Sequence, residues 1–158
     1  IPIVAIGPIV RLIVGAPANG EPAGAAIVLA ALSVFFTTMI GALTGVKSTD
    51  QRVLDVVSAY GGGVWQRVVK VQLISALPSI FAAFKIAAPA AFLGAILGEY
   101  VGGPDLGFGP AMVNAQQSLE VARVWGVALV SGLLAGAGYA LFSLLGKIFT
   151  PWAEASAK

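Results

Sequence analysis

The chain has 158 residues, of which 58% are hydrophobic and 10% charged, with a net charge of +2 and a mean hydropathy of +0.94. Soluble domains carry about 25% charged residues, so this chain lacks the polar surface to cover a globule in water and reads as a membrane protein. Cysteine and histidine are absent, which excludes disulfides, thiolate chemistry, histidine metal sites and a histidine base; the basic residues are few and scattered, which argues against nucleic acid.

Crossing the hydrocarbon takes about 20 mostly apolar residues. Residues 1–15 are apolar but short and contain Pro2, Pro8 and Arg11, so they read as the end of a truncated span or as a broken helix. The run begins at Ile1 without an initiator methionine or a basic leader region. Further helices are therefore expected upstream. Residues 24–45, "GAAIVLAALSVFFTTMIGALTG", form an uncharged span of sufficient length. Residues 46–77 form a polar interval, residues 78–101 the next span, and residues 124–149 the last.

Lys and Arg set the direction. Placing 46–77 and the end from Lys147 on one side gives that side Lys47, Arg52, Arg67, Lys70, Lys147 and Lys158, against Arg123 alone on the other. The interval 46–77 and the C-terminus are therefore expected in the cytoplasm, with 102–123 outside.

Two rows of small residues recur at four-residue spacing: Ala90, Gly94, Gly98 and Gly102, then Ala128, Gly132, Gly136 and Ala140. Such rows let helix backbones approach closely in lipid, and both read as bundle packing; Gly94 and Gly98 are also candidates for a pathway or gate. Lys85 and Glu99 lie within a span, 14 residues apart. At 1.5 Å per residue they are about 21 Å apart and do not pair. The Lys85 stem can snorkel toward the cytoplasmic interface. For Glu99 two roles stand open, inter-helix hydrogen bonding near the outer boundary or lining the pathway.

In the polar interval, Val53, Val56, Val57 and Tyr60 fall on one helical face, and Val64, Trp65, Val68 and Val69 on another. Gly61, Gly62 and Gly63 separate them as a breaker. The pattern predicts two short amphipathic helices hinged at glycine, with Pro78 opening the following span in its first turn. Gln66, Arg67 and Lys70 point away from the apolar face. So modest a basic face favours docking to a protein over resting on lipid headgroups.

This interval resembles the "EAA" loop of ABC-importer permeases of the type I fold, in the form seen in the nitrate/taurine/sulfonate branch. That pattern has Glu-Ala-Ala, three residues, a glycine, a Trp-Gln pair and a closing Leu-Pro. Asp55-Val56-Val57 stand at the first positions, Gly61 at the glycine, Trp65-Gln66 at the pair and Leu77-Pro78 at the close. An earlier Leu-Pro of the branch appears as Leu73-Ile74. Downstream, "AILGEYVGGPDLGFGPAM" resembles the branch's acid-then-glycine turn, "SLEVARVWG" its short helix before the last span, and Pro151-Trp152 its frequent end. The departures are an aspartate for the glutamate, valines for the alanines and one absent proline.

The resemblance covers about residues 25–152 and implies an all-α polytopic helical bundle, part of an ABC transmembrane type-1 domain. It further implies a permease that lays its loop (Asp55 to Lys70, with Val64 and Trp65 as anchors) into a groove on an ATPase subunit. A second permease copy, a substrate-binding protein outside and a bacterial inner membrane complete the expected system. These 158 residues contain no Walker-type loop and so cannot cradle ATP themselves, which leaves a partner or an ion gradient as the energy source; the resemblance implies ATP and Mg on the ATPase subunit, with no cofactor bound and no hydrolysis by this chain. Expected cargo is a small anion such as nitrate, taurine or a sulfonate, or a vitamin precursor. Two other classes were weighed. A fragment of an ion-gradient-driven transporter would show inverted repeats, and none is apparent. A membrane enzyme would need converging groups, whereas Asp105 and Glu120 stand alone on a loop.

Overall fold

A computed structural model describes residues 3–15, 23–102 and 106–155. Its described elements are all helical: α1 (Ile3–Val14), α2 (Gly24–Lys47), α3 (Gln51–Ala59), α4 (Val64–Arg67), a π-helical turn (Val68–Gln72), α5 (Leu73–Gly102), α6 (Phe108–Gln117), α7 (Val121–Phe149) and α8 (Pro151–Ala155). Three stretches are long and apolar enough to cross a membrane: Gly24–Lys47, Val64–Val101 and Val121–Phe149. Helix α1 is continuous through Pro8 rather than broken there. Residues 16–22, Asp105 and Lys158, which entered the charge and site arguments, lie outside the described residues.

The chain forms two compact units. The first comprises Ile1–Phe35 with Ala87–Tyr139. Its core is Val10, Ala25 and Leu29, with Ile6 and Val28 against it. Helices α2 and α5 meet there through glycine. A Cβ on Gly98 would lie 2.7 Å from the Ala26 amide nitrogen and 2.9 Å from the Ala25 carbonyl oxygen; one on Gly94 would lie 2.8 Å from the Leu29 carbonyl. Backbone cannot yield as a side chain can, so these two positions admit only glycine at this separation. Gly94 and Gly98 of the α5 row thus pack against the α2 backbone.

The row on α7 behaves differently. Nothing lies within 4 Å of a Cβ built on Gly132 or Gly136, and the helix instead approaches α5 at Gly138, against Ala88. Spacing alone does not separate a packed face from an open one on a mostly apolar helix.

The second unit comprises Phe36–Ile86 with Ala140–Lys158. Here α2 meets α5 at Gly41 and Gly45, glycines the four-residue rows did not include. A Cβ on Gly45 would lie 2.9 Å from both the carbonyl oxygen and the Cα of Ala76. Phe81 stacks on Phe149 with ring centroids 5.8 Å apart and planes at 9°, and Phe84 meets Phe142 at 5.5 Å. Helix α3 is fastened by Leu54, 5% exposed.

The second amphipathic helix is not a separate element. Helix α4 runs through the π-turn into α5, so Pro78 sits inside a continuous helix and does not open one. A proline at 78 withholds one intrahelical bond, a loss that helices in lipid tolerate when neighbours compensate. The wide turn just upstream is a register shift of the kind that accommodates such irregularity. The stretch Val64–Val101 has 38 residues, about 57 Å at 1.5 Å per residue. That exceeds a hydrocarbon core of about 30 Å, so roughly half of it can stand clear of the lipid.

Candidate functional site

The residues singled out from Asp55 to Lys70 all fall in the second unit, on α3, α4, the glycine turn joining them and the π-helical turn that follows. Helix α3 starts at Asp50, whose side chain accepts from the Arg52 amide at 2.9 Å, an N-cap. It ends at Tyr60 in a two-bond terminus. The Gly62 amide donates to the Val57 carbonyl at 2.8 Å, and the Gly61 amide to Ser58 at 3.0 Å. This is the Schellman arrangement, which needs a left-handed residue just past the cap. Gly61 supplies it with φ 78°.

The three glycines have different reasons to be there. Gly61 carries the left-handed backbone. A Cβ on Gly62 would lie 2.7 Å from the Val57 carbonyl oxygen, so that position is sterically closed. Gly63 precedes α4 with φ −75° and ψ 172°, ordinary extended backbone, and nothing lies within 4 Å of its would-be Cβ. Only two of the three are structurally required.

Beyond this turn the apolar side chains face outward. Trp65 is 78% exposed, Val64 76%, Tyr60 89% and Val56 55%. The predicted stripe Val53, Val56, Val57 and Tyr60 is therefore not the face that packs inward. Leu54, about 100° around the helix from Val53 and so at the edge of that stripe, does so. Asp55 is exposed and accepts from the Gln51 side-chain amide at 3.2 Å. Gln66 and Lys70 are exposed and Arg67 half-buried. The stretch presents an apolar ridge edged by polar and charged groups, held by a rigid turn.

Glu99, Gly94 and Gly98 lie in the first unit. The half-buried Glu99 carboxylate accepts the Gly109 amide at 2.9 Å. Helix α6 begins after Gly107, which has no side chain to cap it, so Glu99 satisfies an orphan N–H and sets a negative charge at the positive end of that helix. Gly107 has φ 151° and packs directly on this carboxylate. The Glu99 carboxylate thus joins the end of α5 to the start of α6. The interval expected as a bare loop thus holds an ordered helix. One contact had no signal in the sequence: Arg11 donates to the Val101 carbonyl at 3.0 Å, near the end of α5.

Among the described residues no His, Cys, Asp and Glu groups converge as metal ligands, and the one ion pair is Arg123 with Glu120 at 3.4 Å on the surface.

Residues 1–155 match the family described as "Binding-protein-dependent transport system inner membrane component". The chain is 29% identical over 157 residues to a riboflavin transport system permease protein of Chloroflexus aurantiacus, covering 99% of this chain and 56% of that protein. It is 28% identical over 130 residues to a probable ABC transporter permease protein of Haemophilus influenzae, covering 82% and 51%. To a formylaminopyrimidine transport permease protein of Halalkalibacterium halodurans the identity is 26% over 152 residues, covering 96% and 58%. The chain thus spans about half the length of the curated relatives it matches. No solved structure matches. With described elements that are all helical, three of them of membrane length, and a family match over nearly its whole length, the chain belongs to the inner-membrane components of binding-protein-dependent transport systems, the permeases of ABC importers.

Proposed function

We propose that this chain forms part of the translocation path of an importer and takes its drive from a separate ATPase subunit through α3, α4 and the turn between them. The observation that carries this reading is the exposed ridge of Val56, Tyr60, Val64 and Trp65 on a turn fixed by Gly61 and Gly62. Large apolar side chains with a polar rim are what a partner's groove takes up, and Arg67 and Lys70 can meet acidic groups at its edge. ATP and Mg sit on the partner, which hydrolyses; this chain transmits. Its other partners are a second permease copy and a substrate-binding protein, and the segment 46–77 and the C-terminus face the cytoplasm, as the placement of Lys and Arg favours.

The cargo is a small solute of the kind named for its relatives, which include riboflavin, formylaminopyrimidine and aliphatic sulfonates. The family match favours ATP-driven transport over an ion-gradient mechanism.

Gly61→Pro tests the coupling role. Proline fixes φ near −65° and removes the amide that bonds Ser58, so the turn cannot keep its geometry. Uptake is expected to fall at least tenfold while membrane abundance stays within twofold of wild type. Normal uptake at normal abundance would refute the role.

A further inference from the structure

The second unit contains a cavity of about 200 Å³ lined by Pro78, Phe81, Lys85, Gly146, Lys147, Thr150 and Ala153. Two of the seven are lysines, and no described lining residue is an acid. Neither lysine forms a hydrogen bond or ion pair with a described residue. Thr150 does not compete as a donor, because its hydroxyl is spent on the Gly146 carbonyl at 2.6 Å.

Lys85 passes close to Gly146. That glycine is buried, and a Cβ there would lie 3.3 Å from Phe81 Cβ and 3.5 Å from Lys85 Cε. The lysine stem therefore lies along the bare backbone of α7 close to that helix's C-terminal end. The carbonyls at that end favour nearby cations, yet a partial negative charge does not neutralise two ammonium groups. The remaining walls, Pro78 and Phe81, are apolar, and the Phe81 ring stacks on Phe149. Trp152 follows within one turn, a residue type that marks the headgroup level of a membrane.

We propose that Lys85 and Lys147 hold the phosphate of an anionic phospholipid, with its glycerol and upper acyl chain against Pro78 and Phe81. The cavity sits where a membrane-length helix ends, and phosphodiester anions are the abundant counter-charge at that depth. On the orientation proposed above the lipid belongs to the cytoplasmic leaflet; only the choice of leaflet rests on that reading.

The test uses the intact, full-length permease with its ATPase in detergent, titrated with phosphatidylglycerol or phosphatidylcholine and read by native mass spectrometry. Each lysine near an anionic headgroup is worth roughly fivefold in binding, so phosphatidylglycerol should be retained at roughly twentyfold lower concentration than phosphatidylcholine. Lys85→Gln with Lys147→Gln should erase most of that preference, and the paired arginine variant should keep it. If the double glutamine variant does not fold, each single variant is read instead, with a loss of about fivefold. Equal retention of both lipids, or a preference untouched by the glutamines, overturns the proposal. Full displacement by millimolar inorganic phosphate would make this a free-anion site and not a lipid site. Retention only after the ATPase is stripped off would assign the lysines to an acidic face of that partner. The leaflet is tested separately with Ala153→Cys, the only thiol these residues would then contain. Labelling from outside intact cells overturns the orientation and leaves the detergent result standing.

Discussion

At Gly61, Gly62 and Gly63 three identical residues answer to three different constraints, so substitutions there should not behave alike. Gly62→Ala drives a methyl group to 2.7 Å from the Val57 carbonyl, and relief requires the Schellman turn to open. Gly63→Ala meets nothing within 4 Å and keeps allowed angles. Uptake by Gly62→Ala is expected to fall several-fold, and by Gly63→Ala to stay within twofold of wild type. Transport measured on matched amounts of protein checks both. Glu99 offers a second separation at this scale. Glu99→Leu leaves the Gly109 amide without its acceptor, a cost of about 1–3 kcal/mol for a buried donor. Glu99→Gln retains an acceptor oxygen and forfeits mainly the charge at the helix end, about 0.3–1 kcal/mol. Thermal inactivation should therefore come several degrees earlier for leucine and only slightly earlier for glutamine. Equal shifts would favour the pathway-lining role for Glu99.

Among the elements, α6 ends in the same arrangement as α3. The Glu120 amide donates to Ala115 at 2.9 Å and the Leu119 amide to Gln116 at 3.1 Å, with the left-handed residue between. Here that residue is Leu119, φ 57°, where a Cβ costs roughly 1–2 kcal/mol. Leu119→Gly is expected to stabilise the protein by about 1 kcal/mol, read as a later thermal midpoint; an unchanged or lower midpoint would show that the exposed leucine side chain contributes more than the strain. The same comparison explains what sequence reading could find. Gly61 announced its turn because glycine breaks the helical pattern. Leu119 gives no such signal, and the helix between Phe108 and Gln117 does not stand out from a loop in the sequence. Proline misleads in the opposite sense: Pro78 has the position of a helix start, while the helix begins at Val64 and absorbs it. Small-residue rows identified Gly94 and Gly98 at the α2–α5 approach but equally the open Gly132 and Gly136, since spacing says which residues share a face and not what that face meets.

For the molecule as a whole, composition and the length of its apolar runs were enough for an all-helical, multi-pass membrane chain, and the order of motifs from Asp55 to Trp152 was enough for its family. Less legible was how the loop stays rigid. Leu54 and the Val57 carbonyl do that work: Leu54 is no member of the apolar stripe or of the resemblance, and Val57, which belongs to both, acts here through its main chain. The proposed coupling would place Trp65 at an ATPase surface, and because these 158 residues contain no cysteine a thiol introduced among them stands alone there. With Trp65→Cys in the intact permease, a short bifunctional thiol and amine reagent should link position 65 to the ATPase subunit, with a yield that changes at least threefold between nucleotide-free and ATP-bound complexes. Leu129→Cys, on the exposed face of a membrane-length helix, should give no such product. A cysteine at 65 that never links to the ATPase in a transporting complex, or links no better than one at 129, would contradict the coupling account.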